Sequence, residues 1–156
     1  MDWFHLIRWA HIVGATVLLG TGAGIAFFML IAHRTRNPTL IAHVAGTVVV
    51  ADMLFTATAV VMQPVTGAIL AHMMGWSLVT PWILLSIALY VLTGFCWLPV
   101  VLIQIRMRNM ARAAVAKGTP LGERYYSHFR AWFLLGLPAF ASVLAILWLM
   151  IARPEF

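Results

Sequence analysis

Charged side chains are scarce in this sequence. It carries ten Lys and Arg and four Asp and Glu, 9% of 156 residues, where a soluble domain carries about 25%. So few charges cannot cover a water-facing surface, and the soluble globular class is excluded. Disorder is excluded too, because it needs low hydrophobicity together with high charge. Cys96 is the one cysteine, so no intramolecular disulfide can form. There is no phosphate loop, no paired carboxylates, no nucleophile elbow and no zinc-ligand spacing. No internal repeat, low-complexity tract or linker divides the chain.

Apolar residues make up 63% of the sequence. A hydrocarbon core of ~30 Å takes ~20 residues per helical span. The apolar runs predict an all-α fold, an integral membrane antiparallel four-helix bundle forming one domain over 1–156, with spans near 4–32, 38–66, 81–107 and 120–152. The first run does not read as a cleaved signal, since Asp2 comes early and the run outlasts an h-region. Asn37-Pro38, Thr80-Pro81 and Thr119-Pro120 share one pattern, an N-cap followed by proline at the first helical position. The second run is interrupted by Gln63-Pro64-Val65-Thr66-Gly67 and resumes to Met74. A helix from Pro38 to Met74 would be about 55 Å long, which predicts a kink at Pro64 or an end near Gly67.

The positive charge is a topology signal. Arg34, Arg36, Arg106, Arg108, Arg112, Lys117, Arg124 and Arg130 fall in the first and third loops, against Arg8 and Arg153 on the other side. Eight against two places those loops in the cytoplasm and both termini outside. Trp3, Trp9, Trp76, Trp82 and Trp148 then form an outer interfacial belt. The stretch Arg106 to Lys117 is a basic helix extension near anionic lipid, and no nucleic-acid partner is expected.

Histidine inside an apolar span needs a partner. His11 lies about two turns into the first span, roughly 10 Å below its start. Gly14, Leu18 and Gly22 share its face, so a planar macrocycle with imidazole on its iron would fit that groove. The same small residues equally suit close helix packing, as does the run Gly20-Thr21-Gly22-Ala23-Gly24. His72, at the end of the second span, is the outer-side second ligand the topology offers. His33, His43 and His128 lie near the inner helix ends, where a second site or plain interfacial hydrogen bonding would account for them.

Asp52 sits near the middle of the second span, and no Lys or Arg lies at comparable depth. Intramembrane carboxylates face the bundle interior or a cavity, and without a cation this one is expected to be protonated. Thr56 and Gln63 share its face, and Ser86, Tyr90, Thr93, Trp97 and Gln104 form a matching polar stripe on the third span. Hydroxyls and amides there would satisfy the carboxyl. Asp52, Tyr90 and Gln63 are the candidate catalytic or proton-relaying residues, and a hydrogen-bonded staple is the alternative. His72-Met73-Met74 is the one tight cluster that suits copper, though neighbours on a helix point in different directions and methionine also serves as apolar filler.

Three runs carry a resemblance: Trp9-Ala10-His11-Ile12-Val13-Gly14, Gln63-Pro64-Val65-Thr66-Gly67 and Cys96-Trp97-Leu98-Pro99-Val100-Val101. Together with Asp52 and Phe55-Thr56 they resemble a bacterial family of predicted four-helix integral membrane proteins of unknown function, over nearly the whole chain. More distantly the chain is similar to the HemJ-type protoporphyrinogen oxidases, which hold haem b, and to the copper-resistance protein D family. Both have an early histidine at the position of His11. Where the oxidases carry lysine four residues after a tryptophan in the third helix, Trp82 is here followed by Ser86. The resemblance implies a b-type haem-binding redox protein of the bacterial inner membrane. It would pass electrons to or from a quinone or another electron-transfer partner, or act as a haem-dependent oxidoreductase on a small apolar substrate. The alternatives are a copper-handling membrane protein and a structural subunit without cofactor. Small-residue faces permit a homodimer.

Overall fold

The computed structural model describes residues 2–155, and every described element is helical. The first span is α1 (Trp3–Arg34). The second is built from α2 (Pro38–Ala51), one π-helical turn (Asp52–Thr56) and α3 (Ala57–Met73). The third is α4 (Pro81–Lys117) and the fourth is α5 (Glu123–Ala152). All four rods are long and apolar enough to cross a membrane, with mean hydropathy between 1.9 and 2.4 over their most apolar stretches. Phe27, Phe28, Leu54, Phe55, Phe95, Leu98 and Leu134 project outward from them. In water such a surface would drive aggregation, whereas against lipid tails it carries no penalty.

Short connections make neighbouring rods antiparallel. Asn37 caps α2 by accepting from the backbone N–H groups of Thr39 (2.9 Å) and Leu40 (3.4 Å), with Pro38 at the first position. Pro81 opens α4 in the same way, but the Thr80 hydroxyl donates back to the Ser77 carbonyl at 2.6 Å and makes no side-chain cap. The third expected start is displaced. Pro120 stays in the connection and α5 begins at Glu123, because α4 runs on to Lys117 and closes with Gly118 in the left-handed conformation (φ +62°). The paired bonds from Thr119 N–H to Ala114 O and from Gly118 N–H to Val115 O satisfy the last carbonyls. Leu121 buries itself in the core and ties the connection down. The third span therefore ends well past residue 107.

The largest apolar cluster fills the half of the bundle that carries the basic loops. Ile25 and Met29 from α1, Ile41, Ala45 and Val48 from α2, Val100, Met107 and Ala111 from α4, and Tyr125, Phe129 and Trp132 from α5 meet there. Met29, Ile41, Met107 and Ala111 have no exposed surface. In the other half the helices are joined by hydrogen bonds across small residues, as membrane helix pairs commonly are.

Pro64 sits inside α3, yet the helix neither stops near Gly67 nor breaks; it runs on to Met73. A proline has no N–H, so it orphans the carbonyl four residues earlier, here Val60. The Tyr90 phenol on α4 donates to that carbonyl. The irregularity falls instead at Asp52–Thr56, where the ladder widens by one residue.

This pairing makes a stability prediction. Tyr90→Phe is expected to lower stability by about 1 kcal/mol, read from unfolding in mixed micelles. In a Pro64→Ala background, where residue 64 supplies its own N–H, the loss is expected to vanish. Equal losses in both backgrounds would contradict the assignment.

Candidate functional site

The buried face of the second span changes character at the π turn. Before it, Ile41, Ala45, Val48 and Val49 are buried; from it as far as Thr66 the buried residues are Asp52, Thr56, Ala59, Gln63 and Thr66, with Ala71 buried beyond them. Those five recur at spacings of four, three, four and three, one face of a helix. A dry stripe thus gives way to a polar one near the middle of the span.

Asp52 is 2% exposed. Its Oδ1 accepts from the Trp97 indole N–H at 3.3 Å. Gln104 turns its amide nitrogen toward Asp52 Oδ2 at 2.9 Å and its oxygen toward the Trp132 indole N–H at 3.1 Å. That amide orientation is assigned from hydrogen-bonding sense, since it alone gives every group a complementary partner. The carboxyl therefore links the second, third and fourth spans. Among the described residues the one ion pair is His5 with Asp2 at 3.7 Å, so no cation accompanies Asp52. The Thr56 hydroxyl lies beside the carboxyl but falls short of hydrogen-bond geometry, and it is buried without a partner.

That spare hydroxyl matters chemically. An ionised carboxylate only accepts, and Trp97 and Gln104 already donate one bond to each of its oxygens. A protonated carboxyl must also donate, and Thr56 is an acceptor within reach of a small rotation. The same hydroxyl donates when the proton leaves. Asp52 thus sits among groups that serve both of its protonation states.

A second polar group joins α1 to α3. The His11 Nδ1 and the Thr66 hydroxyl are 2.8 Å apart, and Thr66 donates to the Met62 carbonyl at 2.8 Å. With that proton committed, His11 Nδ1–H donates to Thr66 and the lone pair lies on Nε2. Gln63 donates its amide N–H to the His11 carbonyl at 2.8 Å. Gly14 and Gly67 let the helices come this close. A Cβ at Gly14 would collide with the Gln63 amide and approach the Met62 methyl at 2.6 Å, and one at Gly67 would come within 3.3 Å of His11 Cε1.

The expected site residues therefore separate into groups. His11, Gly14 and Gln63 come together, with Thr66 and Gly67. Asp52 stands with Trp97, Gln104 and Trp132, and Tyr90 is engaged by the Val60 carbonyl. Ser86 and Thr93 bond back to Trp82 and Leu89 in their own helix, so an indole and an amide, and no facing hydroxyl, partner the carboxyl. Gly22 has nothing within 4 Å of a Cβ built on it, and His72, Met73 and Met74 are exposed at the end of α3. For a haem on His11 the donor atom fits, because Nδ1 is held by a hydrogen bond as ligating histidines usually are. The space does not fit, since Gln63 and Met62 fill the groove over Gly14. Among the described residues no three His, Cys, Asp or Glu side chains group as a metal site.

Trp132 escaped the sequence reading. Its signal was its spacing with Tyr125 and Phe129, a buried stripe at four and three, and its distance from either end of the fourth apolar run.

A family model described as predicted integral membrane protein (DUF2269) matches residues 5–154. The chain belongs to this family. No curated protein and no solved structure matches the chain. The wider likeness to HemJ-type oxidases and to copper-resistance protein D finds no support in these comparisons.

Removing Gln104 would strand two buried groups at once. Gln104→Leu is expected to cost about 2–3 kcal/mol. Adding Trp132→Phe to it should cost little more, because the indole has already lost its acceptor. Additive losses in denaturation would show that the two residues do not share this network.

Proposed function

We propose that this DUF2269 member is a membrane-embedded proton-relay protein, in which Asp52 takes up and releases a proton near the middle of the bundle. One observation carries the reading: a cation-free buried carboxyl stands where the buried face of the second span turns from apolar to polar. Intramembrane carboxyls of this kind are functional by default, and π turns often mark functional sites. Thr56, Gln63, Thr66 and His11 continue the polar stripe toward the end that bears the termini. The opposite half is packed with apolar side chains. Protons therefore exchange with the terminus-bearing side. The positive-inside rule makes that side the outside of a bacterial inner membrane, with the basic loops in the cytoplasm. The relay suits a proton-coupled redox step with a lipid-soluble carrier of the quinone type, which reaches the same depth.

A second reading keeps b-type haem on His11. It is supported by the free Nε2 lone pair, and it requires the Gly14–Gln63 contact to open. On that reading the purified protein shows a Soret band that His11→Ala abolishes while the variant still inserts. Copper on His72 with Met73 and Met74 has no comparable support, since the three follow one another on an exposed helix end and point in different directions.

The relay is tested with a hydrophobic carbodiimide, which modifies protonated carboxyls in apolar surroundings. Intact mass should show one adduct, with labelling that declines as pH rises and disappears in Asp52→Asn. Asp2, Glu123 and Glu155 are exposed and should remain unmodified. An unlabelled wild type, or labelling that survives Asp52→Asn, would overturn the assignment.

A further inference from the structure

A groove of about 550 Å³ opens between α2 and α4, lined by Ala42, His43, Gly46, Thr47, Val50 and Arg112. None of these residues belongs to the Asp52 network or to the relay. Its walls are small and apolar, and its charge is of one sign. The Arg112 guanidinium crosses from α4 to lie over Gly46, where a Cβ would stand 3.4 Å from Nη2. No carboxylate answers it: the ion pair among the described residues is at the other end of the bundle, between His5 and Asp2. His43 adds a second nitrogen-bearing side chain to the lining.

The depth of this charge identifies the ligand class. Arg112 lies eight residues beyond Gln104, which touches Asp52, so it sits about 12 Å from the carboxyl toward the basic end. Half of a ~30 Å hydrocarbon core is about 15 Å. The guanidinium, held against Gly46, therefore lies just inside the edge of that core on the basic-loop side, where it can draw down a lipid phosphate from the headgroup layer, with the apolar strip from Gly46 to Val50 running inward beneath it. Basic pockets between membrane helices on the cytoplasmic side hold anionic headgroups, and an arginine fork suits a phosphate.

We infer that the groove between α2 and α4 is a binding site for one anionic phospholipid, with its phosphate on Arg112 and His43 and an acyl chain along Gly46, Thr47 and Val50. Gly46 and Ala42 give the chain room, and Arg112 selects the headgroup charge.

The test uses the full-length protein in detergent, titrated with phosphatidylglycerol or phosphatidylcholine and read by native mass spectrometry. Phosphatidylglycerol is expected to bind at least about fivefold more tightly than phosphatidylcholine, which corresponds to about 1 kcal/mol. Arg112→Gln should erase that preference. Val50→Trp should weaken the lipid by filling the acyl strip one turn away from the guanidinium's seat on Gly46, and it keeps the inference falsifiable should Arg112→Gln fail to fold. Arg106→Gln, an exposed basic change on the same helix, should alter nothing. Equal losses in Arg106→Gln and Arg112→Gln would mean diffuse surface charge and overturn the site. So would displacement of the lipid by equimolar inorganic phosphate, which would mark a free-anion site.

Discussion

A carboxyl buried among apolar helices with no cation beside it is costly, and the structure is arranged around supplying its partners. Asp52 draws one hydrogen bond from Trp97 and one from Gln104, and Gln104 in turn accepts from Trp132. These contacts pin the second, third and fourth spans at one depth. The apolar cluster stops there, with Val48, Val100 and Trp132 among its members. Lipid tails are as apolar as leucine, so burial alone gives membrane helices little reason to associate. Polar ties of this kind set the register that hydrophobic packing sets in water.

The terminus-bearing half applies the same rule without a charge. Gly14 and Gly67 bring α1 and α3 close enough for Gln63 to reach a backbone carbonyl and for His11 to reach Thr66. Pro64 would weaken α3, but the carbonyl it frees is the one Tyr90 meets. Residues that look catalytic one at a time thus divide in two. Tyr90 meets the carbonyl that Pro64 frees and Gln63 ties α3 to the His11 carbonyl, whereas the Thr56 hydroxyl beside Asp52 is left with bonding capacity unused. A proton relay needs that spare capacity.

Much of this was legible in the sequence. Four spans, their antiparallel order and the helix starts at Pro38 and Pro81 follow from apolar runs and local capping chemistry, which act within a few residues. The face shared by Asp52, Thr56 and Gln63 followed from helical spacing. Of the seven tryptophans, five suit an interfacial belt, and the two that do not, Trp97 and Trp132, are those found at the carboxyl. What stayed hidden depends on contacts between distant helices. The continuation of α3 past Gly67 needs Tyr90 from another span. The filling of the groove over Gly14 needs Gln63 and Met62. The π turn at Asp52 has no local signature, and the late start of α5 depends on how far α4 runs before Gly118.

The central claim is that Asp52 exchanges its proton reversibly. Infrared spectroscopy of the protein in lipid, taken as a difference between acidic and neutral pH, observes this directly through the carbonyl stretch of a protonated carboxyl. The account predicts a band in apolar surroundings that titrates reversibly, shifts in Thr56→Val and is missing from Asp52→Asn. A wild-type spectrum without that band, or a band that pH never changes, would contradict it and leave Asp52 as a structural tie between helices.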